Sequence, residues 1–166
     1  MNNILKAWNA GLVRRWHTQP ELCDTVDYDS GHQQRCTIML LLFWPDAPVW
    51  LIIACLIHDQ GECDAGDMAG PAKQKHPEIR TLLQIVESDS VREQGFPQPD
   101  LTDEEKRRIK FVDYLDSYVW MLRNKSSMAR KQAWMLQLEH LYREAGDLGI
   151  MPEFAEFIEE AHIYYV

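Results

Sequence analysis

With 166 residues and an ordinary share of apolar side chains, the chain can bury one core, and residues 1–166 are expected to form a single globular domain. Its net charge of −9, with no basic stripe, argues against a nucleic-acid surface, which would need clustered Lys and Arg. The four cysteines (Cys23, Cys36, Cys55, Cys63) form no CxxC pair and read as reduced thiols in a cytoplasmic compartment.

In chain order the pattern is helical and no segment reads as a strand, so the predicted class is all-α, with about six to seven helices. Residues 2–15 follow an amphipathic period through Ile4, Leu5, Trp8 and Leu12. The N-terminus lacks the long apolar core of a signal peptide. Residues 17–29 read as a loop with Pro20 and several Asp. Ser30 suits the N-cap of a helix over 31–44. Residues 38–57 are long enough to span a bilayer, but Asp46 and two prolines interrupt them. A helical hairpin that turns at "PDAP", residues 45–48, explains the same residues without lipid. A second helix then covers 48–60, and the glycine-rich 61–71 reads as a loop. Further helices are predicted over about 77–88, 102–124, 127–145 and 152–162. Thr102 and Glu105 form a capping-box pair, with Asp103 and Glu104 suited to the positive helix start.

The unusual feature is the end of the apolar run. "CLIHDQGECDAGDMAGPAK", residues 55–73, closes a hydrophobic helix with His58-Asp59 and then places Glu62, Asp64 and Asp67 close behind. A charge at that position needs a partner. On one straight helix His32 and His58 would stand ~39 Å apart. The Pro45–Pro48 turn instead makes the helices antiparallel and the two His neighbours, with Asp59 beside them. Imidazole and carboxylate together suit Mn, Co, Fe, Zn or Ni. On the 102–124 helix, Asp113 and Asp116 fall on or beside the apolar face marked by Ile109, Val112, Leu115 and Val119. A carboxylate buried there needs a cation, a hydrogen-bond network or a proton. His17, His76, His140 and His162 lie in polar surroundings and read as surface residues. Trp16 is readable as plain core.

These residues resemble the HD-domain phosphohydrolases. "RRWHT" at 14–18, His32, "HDQGECDAGDMAGPAK" at 58–73 and "KFVDYLDSY" at 110–118 are similar in order and spacing to the 5′-deoxynucleotidase branch. They also resemble small phage HD proteins, some of which are deoxyadenosine triphosphate triphosphohydrolases. The resemblance covers about residues 12–122 and leaves 127–162 as packing helices or an oligomer contact. It implies a compact helical bundle of the HD type. It also implies metal-dependent cleavage of the 5′-phosphoester of a 2′-deoxynucleotide, with deoxyadenosine nucleotides favoured. His32, His58, Asp59 and Asp113 would hold one divalent ion, and a triphosphate substrate could bring a second. Glu62 matches the residue that assists the attacking water. Asp67 matches a residue that helps catalysis or holds the sugar. Arg15 and Lys73 match phosphate contacts, and Trp16 a residue near sugar and base. The resemblance further implies a cytoplasmic homo-oligomer, dimer or hexamer, with a small-molecule deoxynucleotide as its partner and neither nucleic acid nor membrane. The sequence departs from the pattern where the usual "EHS" reads Gly31-His32-Gln33, and where Ala69 replaces a proline. Other HD chemistry, on cyclic nucleotides or alarmones, and a non-catalytic nucleotide-binding module are the alternatives.

Overall fold

Thr102 caps the longest helix as its sequence requires. The Thr102 side chain accepts from the Glu105 N–H at 3.2 Å, and the Glu105 carboxylate accepts from the Thr102 N–H at 2.8 Å. The computed structural model describes residues 2–68, 73 and 75–166. Among these the protein is all-α: eight α-helices, one 3-10 helix and no strand. The helices are α1 (Asn3–Ala10), α2 (Asp29–Phe43), α3 (Val49–Leu56), α4 (Glu62–Ala65), α5 (Pro77–Gln94), α6 (Asp103–Lys125), α7 (Gln132–Asp147) and α8 (Met151–Tyr165), with the 3-10 turn Ser126–Arg130 after α6. None of them is long and apolar enough to cross a membrane. All four cysteines are free thiols. Ala69, where the sequence departs from the HD pattern, lies outside the described residues.

The chain folds into two compact units, residues 1–34 with 56–99, and residues 35–55 with 100–166. In the first, α1 is shorter than the predicted 2–15. The N–H groups of Arg15, Asp29 and Ser30 donate to the carbonyls of Asp27, Val13 and Gly11 at 3.0–3.2 Å. These bonds draw 11–15 into an extended pairing with 27–30, bridged at Arg14 and Tyr28, and they outcompete further helix. The same pairing lets α2 begin at Asp29, so Ser30 sits inside the first turn and is not the cap. Ile4 and Trp8 on α1, and Leu12 just past its end, are exposed rather than packed. α1 buries Ala10 and is tied down by Lys6, whose Nζ donates to Asp64 and Glu93, each at 2.7 Å.

The predicted 48–60 helix ends at Leu56. His58 and Asp59 occupy the turns that follow, in which Gln60 N–H donates to the Ile57 carbonyl and Glu62 N–H to that of Asp59. The expected 61–71 loop contains the short helix α4. Gly61 permits it: a Cβ there would lie 2.5 Å from the Glu87 carbonyl oxygen of α5, so any side chain would push the two helices apart. Pro at its first turn and Gly95 in the left-handed C-cap bound α5, which runs six residues beyond the predicted end.

The second unit takes residues 35–43 of α2 and 49–55 of α3, which flank the predicted turn at 45–48, where Ala47 N–H donates to the Trp44 carbonyl at 2.9 Å. Its core is built on Leu40, Leu51, Val112, Leu115 and Leu141, with an edge-to-face aromatic cluster in which Phe111 meets Phe43, Trp44 and Phe154. Asp116, singled out beside the apolar face of α6, is buried and satisfied by Arg35 through two bonds of 2.6 and 3.0 Å.

Candidate metal centre

The first unit brings the paired histidines and the aspartate together. His32 is on the second turn of α2 and fully buried; His58 and Asp59 leave the end of α3. His32 Nε2 and His58 Nε2 are 3.2 Å apart, and Asp59 Oδ2 is 3.4 Å from the first and 3.5 Å from the second. These three atoms make a near-equilateral triangle. Two donors on a tetrahedral ion with bonds of ~2.0–2.1 Å lie ~3.3–3.4 Å apart, so the triangle has the size of one face of a first-row divalent site. Two imidazoles and a carboxylate oxygen are also a donor set such ions take. The residues therefore fit a metal.

Around the triangle, Asp27, Asp29, Asp59, Glu62 and Asp67 are gathered near two fixed cations, Arg15 and Lys73. The Arg15 guanidinium is buried. Its Nη1 donates to Asp59 Oδ2 at 2.8 Å and stands 3.8 Å from Asp29, while its Nε is 3.8 Å from Asp27. Its main contact is thus with a ligand oxygen of the triangle. Asp29 is completely buried, and neither of its carboxylate oxygens has a hydrogen-bond partner. Burial, joined by the Asp59 charge, pushes its carboxyl up to about 8. Glu62 opens α4. Its Oε1 is 3.5 Å from Lys73 Nζ, and its buried Oε2 has no hydrogen-bond partner. Burial and then the charges of Asp59, Asp67 and Asp29 push it up to about 10. For Asp59, burial acts upward, but His58, His32 and Arg15 more than offset it and hold the carboxyl well below the usual range. The Asp29, Asp59 and Glu62 oxygens lie within 4.8 Å of one another, a second concentration of negative charge beside the triangle.

Trp16 is buried, and its backbone N–H donates to Asp67 Oδ2 at 2.9 Å. Lys73 is half-buried between Glu62 and Glu87. Arg15, Trp16, His32, His58, Asp59, Glu62, Asp67 and Lys73 are therefore all carried by the first unit. Asp113 is carried by α6 in the second, where its carboxylate accepts from Lys110 at 2.6 Å. Asp27 and Asp29 were not singled out in the sequence, where they read as part of an acidic loop. The signal available was the Asp29–His32 spacing, one helical turn.

Compared with known proteins, the chain matches no family model, no curated protein and no solved structure.

The carboxyl shifts fix a pH dependence. Asp29 and Glu62 hold their protons in the folded chain to about 8 and about 10, whereas 3.8 and 4.5 are their ordinary values. The unfolded chain binds fewer protons between those limits, so the contribution to stability falls with rising pH. It is full below about pH 4 and is lost as pH climbs through the folded values. Chelated protein should melt at least about 5 °C lower at pH 8.5 than at pH 5.5. Asp29→Asn should flatten that slope, and a saturating divalent ion should restore more stability at pH 8.5 than at pH 5.5. Equal slopes for wild type and Asp29→Asn would refute the assignment of the buried proton.

Proposed function

We propose that this chain is a metal-dependent phosphohydrolase of the HD type, acting on the 5′-phosphoester of 2′-deoxynucleotides and releasing the deoxynucleoside. The observation that carries the reading is the triangle of His32 Nε2, His58 Nε2 and Asp59 Oδ2, with edges of 3.2–3.5 Å. The ordered motifs from Arg15 to Asp113 supply the substrate class by resemblance.

His32, His58 and Asp59 would hold the ion, with Asp113 as the fourth ligand the resemblance implies. Such an ion supplies Lewis acidity toward a phosphate ester and makes water a competent nucleophile at neutral pH. Ionised beside a bound ion, Glu62 would take the proton of the attacking water on its unpartnered oxygen, while Lys73 steadies the other. Burial and the neighbouring carboxylates hold Glu62 protonated, so its use as a base depends on the positive charge of a bound ion offsetting Asp59, Asp67 and Asp29. Arg15 and Lys73 offset the gathered carboxylates so that a phosphate is not repelled. Trp16 supplies a flat apolar surface for sugar and base. Co, Mn, Zn, Fe and Ni all remain compatible with the donor set, and a second ion accompanying a triphosphate is part of the same reading.

A metal-dependent screen of deoxynucleoside mono- and triphosphates, reading phosphate against tripolyphosphate, tests the proposal. Metal-stimulated release from one of the two classes, abolished by chelation, is expected. Turnover of cyclic nucleotides or alarmones alone would overturn the substrate class, and stoichiometric binding without turnover would favour a nucleotide-binding module. The two cations should separate. Arg15→Ala and Lys73→Ala should each lower kcat/KM by about tenfold or more, the loss of one charge-assisted hydrogen bond. Arg15→Ala should also weaken metal retention, since Arg15 holds Asp59, whereas Lys73→Ala should leave metal content unchanged.

A further inference from the structure

Trp16 and Asp67 stand 51 positions apart in the chain and meet at one hydrogen bond. Trp16 has φ of 66°, the only positive φ outside glycine among the described residues. In that region Cβ crowds the backbone carbonyl, and a bulky side chain enters it only where the surroundings over-determine it. Here they do. Arg15 is fixed before it, by its N–H to the Asp27 carbonyl at 3.1 Å and by its guanidinium on Asp59. Gln19 N–H donates to the Trp16 carbonyl at 2.9 Å after it. Its own N–H is taken by Asp67.

The acceptor is placed just as deliberately. Asp67 follows Gly66, whose φ of 75° and ψ of 154° belong to a region essentially closed to residues with a side chain. Nothing stands within 4 Å of where a Cβ at Gly66 would be, so backbone angle and not crowding requires glycine. Two unfavourable backbone positions thus flank one bond, and what they achieve together is a carboxylate seated on the Trp16 N–H. Glu62, by contrast, keeps a buried oxygen without a partner.

We infer that Asp67 is a positioning residue: it holds Trp16 in the left-handed conformation and through it sets discrimination among deoxynucleosides, and it does not transfer protons in the reaction. The discrimination half rests on the proposed function; the backbone half does not. The expected behaviour follows from hydrogen-bond acceptance alone. An asparagine carbonyl can still accept the Trp16 N–H, whereas alanine cannot.

The first test needs no substrate. Protein labelled with 5-fluorotryptophan is followed by fluorine NMR, the Trp16 signal being assigned through Trp16→Phe. Asp67→Ala should shift or broaden that signal, Gly66→Ala should do the same, and Asp67→Asn should leave it near its wild-type position, all with bound metal unchanged. The second test measures kcat/KM across deoxynucleotides that differ in base. Asp67→Ala and Trp16→Ala should each alter the preference profile, and the double variant should alter it no further, because both remove one device. Asp67→Asn should keep the wild-type preference profile, since its carbonyl still accepts the Trp16 N–H. A fall of about a hundredfold in Asp67→Asn would identify a proton-transfer group and overturn the inference. So would an unmoved Trp16 signal in Asp67→Ala, or losses that simply add. If no deoxynucleotide is turned over, the proposed function fails while the NMR signal still decides the role of Asp67.

Discussion

Asp59→Ala should strip the protein of its metal and of its activity together. Asp59 Oδ2 is the atom on which the centre converges: both histidine Nε2 atoms and the Arg15 Nη1 lie within 3.5 Å of it. Removing it takes the one anionic donor from the triangle and leaves two imidazoles close to the Arg15 guanidinium, an arrangement that holds a divalent ion poorly. Metal per chain should drop from near one equivalent to below about a tenth after dialysis, and kcat/KM should fall by at least about 10³. Stability should suffer less than the loss of a buried charge partner ordinarily entails, because Asp27 and Asp29 remain near Arg15 at 3.8 Å. Asp59→Asn retains the shape and separates the two effects: it should fold like the wild type and still bind metal poorly. Elemental analysis beside single-turnover kinetics makes the check, and full activity in Asp59→Ala after exhaustive chelation would remove the metal centre from the mechanism.

Glu62→Gln should do the opposite, keeping the metal and losing the chemistry. Glutamine has the size of the glutamate and can stay beside Lys73, but it cannot take a proton from water. Turnover should fall by ~10²–10⁴ with metal content unchanged and KM little altered. The metal-free variant should also lose the part of the pH-dependent stability that comes from holding a proton at position 62. An unchanged kcat would show that Glu62 supports Lys73 and nothing more. Asp59→Ala and Glu62→Gln thus fail in different observables, one in metal content and one in rate, and a single preparation of each distinguishes binding from catalysis.

The sequence by itself determined the helical class, the capping box at Thr102 and Glu105, the proline turn at 45–48, and the pairing of His32 with His58. Each of these follows from local chemistry: a periodic apolar pattern, a side chain that caps its own helix, or a turn that reverses the chain and makes distant residues neighbours. The tertiary structure alone decided the rest. It ended α1 at Ala10, because the Val13 carbonyl and the Arg15 N–H found partners in residues 27–29 instead of within the helix. It buried the Asp29 carboxyl without a hydrogen-bond partner, made Arg15 the partner of Asp59, and turned Asp67 onto the Trp16 backbone across 51 positions. The physical reason is common to all three. Burial and the pairing of charges depend on which distant segments meet, and an acidic residue in a loop carries no mark of the neighbour that will claim it.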